Sequence, residues 1–230
     1  ASGVTISVAL ATSIITGMAP SSTIIFSVDT QVREGVITSS PGPIPIAIRV
    51  TCIPAVAEEK LARCCDVFCE TGAFDVPQSR KVLMAGKALG LVPRIHADEI
   101  DAIGGAELSA EVGALSAEHL IASNEEGMQA MAKGGVIADL LPATSFYLDK
   151  TFAPARRMVE LGIPVVIASD FNPGSCPSLN LPFAMNLGLL RYKLKPEEVL
   201  CAVTLNAACS VGMGDKAGTV EAGKQGDLVI

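Results

Sequence analysis

The chain has 230 residues, half of them apolar, with no tryptophan and a formal net charge of −7. The acidic balance and the lack of any Lys/Arg cluster exclude a nucleic-acid groove. No uninterrupted apolar stretch reaches the roughly 18 residues of a membrane span, so no membrane is expected as a partner. Seven cysteines without an amino-terminal signal sequence indicate reduced thiols and a cytoplasmic protein.

Residues 1–43 differ in composition from the rest of the chain and form an atypical Ser/Thr-rich segment to which no role can be attached. Two apolar, β-branched runs within this segment, Val4–Val8 and Ile24–Val28, predict strands. The segment closes at Pro41-Gly42-Pro43, which is typical of a turn or linker.

From residue 44 to residue 215 short apolar runs alternate with helical patterns, which predicts βα repeats around a parallel sheet. Strands are predicted near 47–51, 66–70, 92–96, 116–119, 136–140 and 165–169. Helices are predicted over 54–61, 78–89, 106–112, 124–135, 154–161, 181–191, 196–203 and 206–212. The fold class is therefore α/β, of the (β/α)8 TIM-barrel type, incomplete on its amino-terminal side. Residues 216–230 are expected to begin the return to a small β domain, with a strand over 227–230.

Three cysteines, Cys64, Cys65 and Cys69, resemble a metal cluster in spacing. They are interleaved with the apolar run that forms the 66–70 strand, so a buried strand with unreactive thiols is the favoured interpretation.

Chemistry-bearing side chains follow the ends of the predicted strands. The buried run that starts at Val165 ends on Asp170 and then turns at Pro173-Gly174. Asp170 alone could cap that turn, but another strand end upstream runs into His96 and Glu99, and the next one ends on His119. The carboxyl ends of parallel strands form the active-site face of α/β barrels, so these four side chains are expected to converge.

Imidazole and carboxylate are the ligands of catalytic divalent metals, and a metal-bound water becomes a nucleophile near neutral pH. A lone His96 is most simply explained as a satisfied core histidine. Four such groups on neighbouring strand ends favour a metal-dependent hydrolytic site instead, in which a carboxylate and an imidazole move the proton.

Several motifs resemble the imidazolonepropionase family of the amidohydrolase superfamily, over about residues 46–230. They are His96-Ala-Asp-Glu99, Gly104-Gly-Ala-Glu-Leu108, Ser116-Ala-Glu-His-Leu120, Leu140-Leu-Pro-Ala-Thr-Ser-Phe-Tyr147, Ser169-Asp-Phe-Asn-Pro-Gly-Ser175, Thr204-Leu-Asn-Ala-Ala208 and Glu221 to Ile230. The resemblance implies hydrolysis of 4-imidazolone-5-propanoate to N-formimidoyl-L-glutamate in histidine degradation.

Carried over residue by residue, the resemblance implies one divalent metal, zinc or iron, with His96 and Asp170 as ligands. It makes Glu99 the acid/base carboxylate and His119 the imidazole beside the metal. A homodimer acting on a small-molecule substrate is the implied assembly.

The resemblance also gives a substrate-binding role to the turn after Asp170. The residues that it assigns there are Asn172, Gly174 and Ser175.

The chain departs from that family in two respects that bear on activity. It lacks the His-x-His strand that supplies two further metal ligands, and after Val50-Thr51 it lacks the loop that carries a substrate-binding histidine. Two alternatives therefore stay open. One is a non-catalytic or truncated amidohydrolase fragment, and the other is a related amidohydrolase or deaminase.

Overall fold

In the computed structural model, residues 6–13, 21–28 and 53–228 can be described. Within these ranges, seven strands form one sheet in the order of the sequence, β1 to β7. Their bounds are Ile6–Ser13, Ser21–Val28, Cys64–Cys69, Val92–Ala97, Ser116–His119, Ile137–Leu140 and Val165–Ile167.

From β3 to β7, each strand pairs in parallel with the next strand along the chain, as predicted from the buried apolar runs. The strand predicted near 47–51 lies outside the described residues. The strands predicted as Val4–Val8 and Ile24–Val28 correspond to β1 and β2, which are longer and form an antiparallel pair. Because β2 also pairs in parallel with β3, this pair belongs to the same sheet as the βα repeats.

Helices follow the strands of the parallel part of the sheet. Their bounds are 53–58 for α1, then Val76–Ala88, Gly105–Val112, Glu125–Gly134, Pro142–Tyr147, Ala155–Glu160, Leu181–Leu190, Pro196–Val203 and Leu205–Ser210 for α2 to α9. None of the helices in the described ranges is long and apolar enough to cross a membrane.

Local sequence explains where these helices begin and end. Asn124 caps α4 by accepting a hydrogen bond from the Gly127 N–H, and Gly135 ends that helix in the left-handed region, as the sequence predicted. Asp75 and Gln78 form a reciprocal capping box at the start of α2.

The cysteines Cys64, Cys65 and Cys69 are buried in β3, which confirms the predicted buried strand. Burial raises the pKa of Cys65 to about 12 and that of Cys69 to about 11. Both thiols therefore stay protonated and serve as small apolar side chains between β3 and the helices.

The structure differs from the sequence prediction in two elements. Helix α5, Pro142–Tyr147, was not predicted; its six residues are too few to show a helical period. Residues 227 and 228 do not form the predicted carboxyl-terminal strand, and 229–230 lie outside the described residues.

Candidate functional site

Two histidine rings lie side by side at the carboxyl ends of adjacent strands. His96 is near the end of β4 and His119 is the last residue of β5. Their ring centroids are 5.4 Å apart, with the planes tilted by 50°. Parallel pairing of β4 with β5 brings these strand ends together, with Glu118 opposite His96 and Ala97 opposite His119.

Glu99 reaches the same place from the loop that follows β4. Its Oε2 is 3.8 Å from His119 Nε2, and its Oε1 accepts a hydrogen bond from Lys150 Nζ at 2.9 Å. Burial opposes ionisation of this carboxyl, but His119 and Lys150 outweigh burial and lower the pKa of Glu99. The structure thus brings a charged carboxylate beside an imidazole, an arrangement that can accept and return a proton.

Asp170 follows β7, and its charge acts on both imidazoles. Thr144 donates a hydrogen bond from Oγ1 to Asp170 Oδ2 at 2.5 Å, so the unpredicted helix α5 fixes this carboxylate. The backbone of Asp170 has a φ of 51°, in the left-handed region. His96, Glu99, His119 and Asp170 therefore face one region at the carboxyl edge of the sheet.

The turn after Asp170 is held together largely by Asn172. Its Oδ1 accepts hydrogen bonds from the N–H groups of Gly174 at 2.9 Å and Ser175 at 2.7 Å, and its Nδ2 donates to Ser175 Oγ. Asn172 also forms a two-bond backbone bridge with Cys176. The polar atoms to which the family resemblance assigns substrate binding thus form the hydrogen bonds that stabilise the turn itself. One Nδ2 hydrogen of Asn172 and the Ser175 hydroxyl hydrogen are left for a ligand.

Sequence reasoning missed two carboxylates inside the sheet, next to His96. Asp66 of β3 has Oδ1 at 3.0 Å from His96 Nδ1, and Glu118 of β5 has Oε2 at 3.9 Å from the same nitrogen. Burial alone would lower the pKa of His96, but these carboxylates, Asp66 foremost, raise it to about 10. The surroundings of His96 therefore favour positive charge, which a proton or a cation can supply.

Arg94 lies beneath His96 on the same face of β4 and ties three strands together. Its guanidinium donates to Glu118 Oε1 at 2.7 Å and to Asp139 Oδ2 at 2.8 Å, and also to the backbone oxygen of Ser210. The Ser210 hydroxyl donates to Asp139 at 2.6 Å. This buried ion network forms the polar floor under the histidines.

The alternation of Arg94 with His96 is the signal that could have revealed this floor. Successive side chains of a strand point to opposite faces, so polar residues two apart share one face. Ser116 and Glu118 repeat the pattern on β5. Polar residues at this spacing, in strands that are otherwise apolar, indicate that one face of the sheet is polar.

Two further carboxylates hold the loop that carries Glu99. Glu70, at the end of β3, accepts hydrogen bonds from the N–H groups of Thr71, Ile100 and Asp101. Asp98 accepts from the first N–H groups of α3, at Gly105 and Ala106, and from the Ser123 hydroxyl. The position of Glu99 is thus set from both sides by buried acceptors.

The donor set of this region fits a divalent cation in its chemistry. His119 Nδ1 and Glu118 Oε2 are buried without a hydrogen-bond partner among the described residues. Burial and the neighbouring charge of His96 lower the pKa of His119 to about 4, so this imidazole is neutral and able to accept. Neutral imidazole and carboxylate oxygen are the groups that zinc and iron take in catalytic sites.

Comparison with known proteins gives a consistent picture. A sequence model described as "Amidohydrolase family" matches residues 92–230. The imidazolonepropionase of Alkaliphilus metalliredigens is 54% identical over 179 residues, which cover 77% of this chain and 42% of that relative. The imidazolonepropionase of Shouchella clausii is 54% identical over 178 residues, which cover 77% and 40% respectively. The chain therefore spans about two fifths of the length of these relatives.

Solved structures show the same fold at low sequence identity. An adenosine deaminase from Xanthomonas campestris with bound zinc aligns with a TM-score of 0.63 and 20% identity, over 79% of this chain and 46% of that one. A putative prolidase from Bifidobacterium longum aligns with a TM-score of 0.63 and 18% identity, over 80% and 54% respectively. At these identities the likeness concerns the fold alone.

Proposed function

Because this chain belongs to the amidohydrolase family, with its α/β barrel-type fold, we propose that it serves the hydrolysis of 4-imidazolone-5-propanoate to N-formimidoyl-L-glutamate. The observation that carries the proposal is the meeting of His96, Glu99 and His119 at one strand edge, within a sequence 54% identical to imidazolonepropionases. In this reaction water adds to the ring carbonyl carbon, the ring C–N bond breaks, and the nitrogen leaves with a proton.

His96 and Asp170 are the proposed metal ligands, with zinc or iron as the metal. When bound, a divalent cation would polarise the carbonyl and lower the pKa of water. Further donors would come from water or from another chain, since both histidines of the sequence lie at this edge.

Glu99 is the proposed acid/base group. Its lowered pKa keeps it ionised, so it accepts a proton from the attacking water and returns it to the departing nitrogen. Lys150 holds the carboxylate from one side and His119 faces it from the other. His119, whose neutral ring carries one N–H, is the proposed donor of a hydrogen bond to the oxygen on which charge develops.

The turn from Asn172 to Ser175 is the proposed substrate contact. It follows Asp170 directly, so a ligand bound there lies beside the proposed metal. Gly174 leaves the backbone open to close approach, because a Cβ at this position would meet only the Asn172 side chain, at 3.6 Å. The proposed setting is a cytoplasmic homodimer.

A second candidate is a metal-binding but non-catalytic amidohydrolase domain. It is favoured by one observation: the sequence holds no His-x-His pair, having only His96 and His119. The two candidates differ in turnover and agree on metal binding.

The test measures loss of imidazolonepropionate together with metal content, for the chain and for Asp170→Asn. Asp149→Asn is the matched control, because exposed Asp149 shares the φ of 51° found at Asp170. The proposal expects turnover and metal in the chain and in the control, and loss of both in Asp170→Asn. Metal without turnover in the chain selects the non-catalytic candidate, and equal metal content in both variants refutes the ligand role of Asp170.

A further inference from the structure

The contact between Asp66 and His96 has no part in the mechanism proposed above. Asp66 Oδ1 lies 3.0 Å from His96 Nδ1, across the pairing of β3 with β4. The Asp66 side chain is 3% exposed, whereas that of His96 is 23% exposed. The ring thus has one edge against a buried carboxylate and keeps part of its surface accessible.

The chemistry of the pair decides where the proton lies. An ionised carboxylate only accepts hydrogen bonds, so the bond at 3.0 Å needs a hydrogen on Nδ1. A second carboxylate oxygen, Glu118 Oε2, lies 3.9 Å from the same nitrogen and has no hydrogen-bond partner among the described residues. Two carboxylates at one nitrogen both favour a proton there.

The other ring nitrogen is left for a ligand. In the described ranges His96 Nε2 takes part in no hydrogen bond, and the ring edge that carries it is turned away from Asp66. A histidine that donates one N–H to a carboxylate has its tautomer and orientation fixed and becomes a more basic ligand at the other nitrogen.

We propose that Asp66 is a positioning residue that holds the Nδ1 hydrogen of His96 and so makes Nε2 the metal-ligating atom. This inference rests on the proposed function in taking His96 as a ligand. It adds which atom ligates and which residue selects that atom.

A different arrangement must be weighed, in which the cation sits on the opposite edge of the ring. Ligand atoms of Asp66, His96 and Glu118 lie within 4.8 Å of one another and could together hold an ion. Two observations oppose it. Two ligands of one tetrahedral zinc are roughly 3.4 Å apart for bonds of about 2.1 Å, whereas the Asp66–His96 separation of 3.0 Å is that of a hydrogen bond.

The second observation is the charge beside that edge. The Arg94 guanidinium donates to Glu118 Oε1 at 2.7 Å, which places a positive charge next to any ion bound there. Arg94 already balances the charge of Glu118 through Oε1, and a divalent cation at this edge would be repelled by Arg94.

The experiment uses the full chain labelled with ¹⁵N-histidine, whose two histidines give separable ring signals in a long-range ¹H–¹⁵N correlation. His119→Gln assigns them. The proposal expects a hydrogen-bonded Nδ1–H at His96 that persists when zinc is added, while Nε2 shifts. Asp66→Leu should lose that hydrogen bond, and its zinc affinity should fall about 10- to 100-fold. Asp66→Asn, which keeps an acceptor and the side-chain volume, should retain Nδ1–H with a smaller loss.

Loss of the Nδ1–H signal on zinc addition, or an Nδ1 that carries no hydrogen in the zinc-free chain, overturns the proposal. Unchanged zinc affinity in folded Asp66→Leu overturns it as well. Asp170→Asn separates the two arrangements, because the group of Asp66, His96 and Glu118 does not include Asp170 and would keep zinc in that variant. A chain that keeps Nδ1–H and its dependence on Asp66 but hydrolyses nothing loses the proposed function and keeps the positioning role. Circular dichroism establishes that each variant is folded.

Discussion

Replacement of Glu70 by glutamine should destabilise the chain although the side chain keeps its shape. Glu70 is 1% exposed and accepts three hydrogen bonds from backbone N–H groups. Oε1 accepts from the N–H of Thr71 at 2.8 Å and from that of Asp101 at 3.2 Å, and Oε2 accepts from the N–H of Ile100 at 2.8 Å. Glutamine offers one acceptor oxygen and one NH₂ group. In either orientation, at least one backbone N–H faces another donor.

The magnitude follows from the count of bonds. A hydrogen bond to a charged group contributes about 1.5 to 3 kcal/mol, and a buried unsatisfied group costs about 1 to 3 kcal/mol. With one bond lost and the others weakened by loss of charge, Glu70→Gln should lower the free energy of unfolding by about 2 to 4 kcal/mol. The matched control is Glu111→Gln. That residue has a paired but exposed side chain, with Arg80 at 2.7 Å, and such a pair contributes at most about 1 kcal/mol.

The assay is urea unfolding followed by circular dichroism, with the slope compared between variants to check that unfolding remains two-state. The loop held by Glu70 carries Glu99. The turnover proposed above should therefore also fall in Glu70→Gln, even at urea concentrations below the unfolding midpoint of this variant. If Glu70→Gln costs no more than Glu111→Gln, the three N–H contacts do not stabilise the loop, and the reasoning from bond count fails.

Three other changes test packing, thiol burial and the site. Gly188→Ala should lower the free energy of unfolding by about 1 to 3 kcal/mol, because its Cβ would lie 2.5 Å from Ile167 Cδ1. The melting temperature should recover in part when Ile167→Val is added, because that substitution removes the Cδ1 methyl. The thiols of Cys65 and Cys69, with pKa values raised to about 12 and about 11, should resist iodoacetamide at about pH 8 in intact-mass analysis. Because unfolded thiols ionise near pH 8.5, stability should fall as pH rises above that value, and rapid native labelling of either thiol would contradict its burial. Lys150→Met should raise the pKa of its hydrogen-bond partner, Glu99, moving the acid limb of the pH–rate profile upward, whereas Lys150→Arg should leave it in place.

Most of the parallel sheet could be predicted from the sequence, because a buried strand is a contiguous apolar run between turn signals. The cysteines of β3 illustrate the point: three thiols fit a strand better than a cluster, and the structure buries all of them. Helix α5 escaped prediction because its six residues are too short for a period. Its place is set by tertiary contacts, among them the bond from Thr144 to Asp170.

The site was only half visible for a related reason. His96, Glu99 and Asp170 follow apolar runs, where a polar residue is conspicuous. Asp66 and Glu118 lie inside strands, and their partners become known only from pairing register and facing direction. A single sequence does not give the register, so the carboxylates that orient His96 required the structure.

Several residues at the site have strained backbone conformations, and the contacts that hold them in place lead to a last prediction. Asp98, His119, Leu120 and Asp170 have φ between 50° and 69°, all at carboxyl ends of strands. Each such residue costs on the order of 1–3 kcal/mol and persists only where its surroundings fix it. For Asp98 the fixing contacts belong to the protein itself, since both carboxylate oxygens accept N–H groups from the start of α3.

If those contacts hold the loop, the loop needs no cation to keep its shape. Amide hydrogen exchange at Gly105 and Ala106 should therefore stay slow after metal is removed by chelation, and should quicken in Asp98→Ala. Exchange is measured on chelated and zinc-supplemented chain under the same conditions. Amides that exchange at unfolded-chain rates without metal and slow down only with it would mean that the cation, rather than Asp98, supports the strained strand ends. A site held by its own carboxylates stands ready to bind, because the ordering cost is met during folding and not on binding.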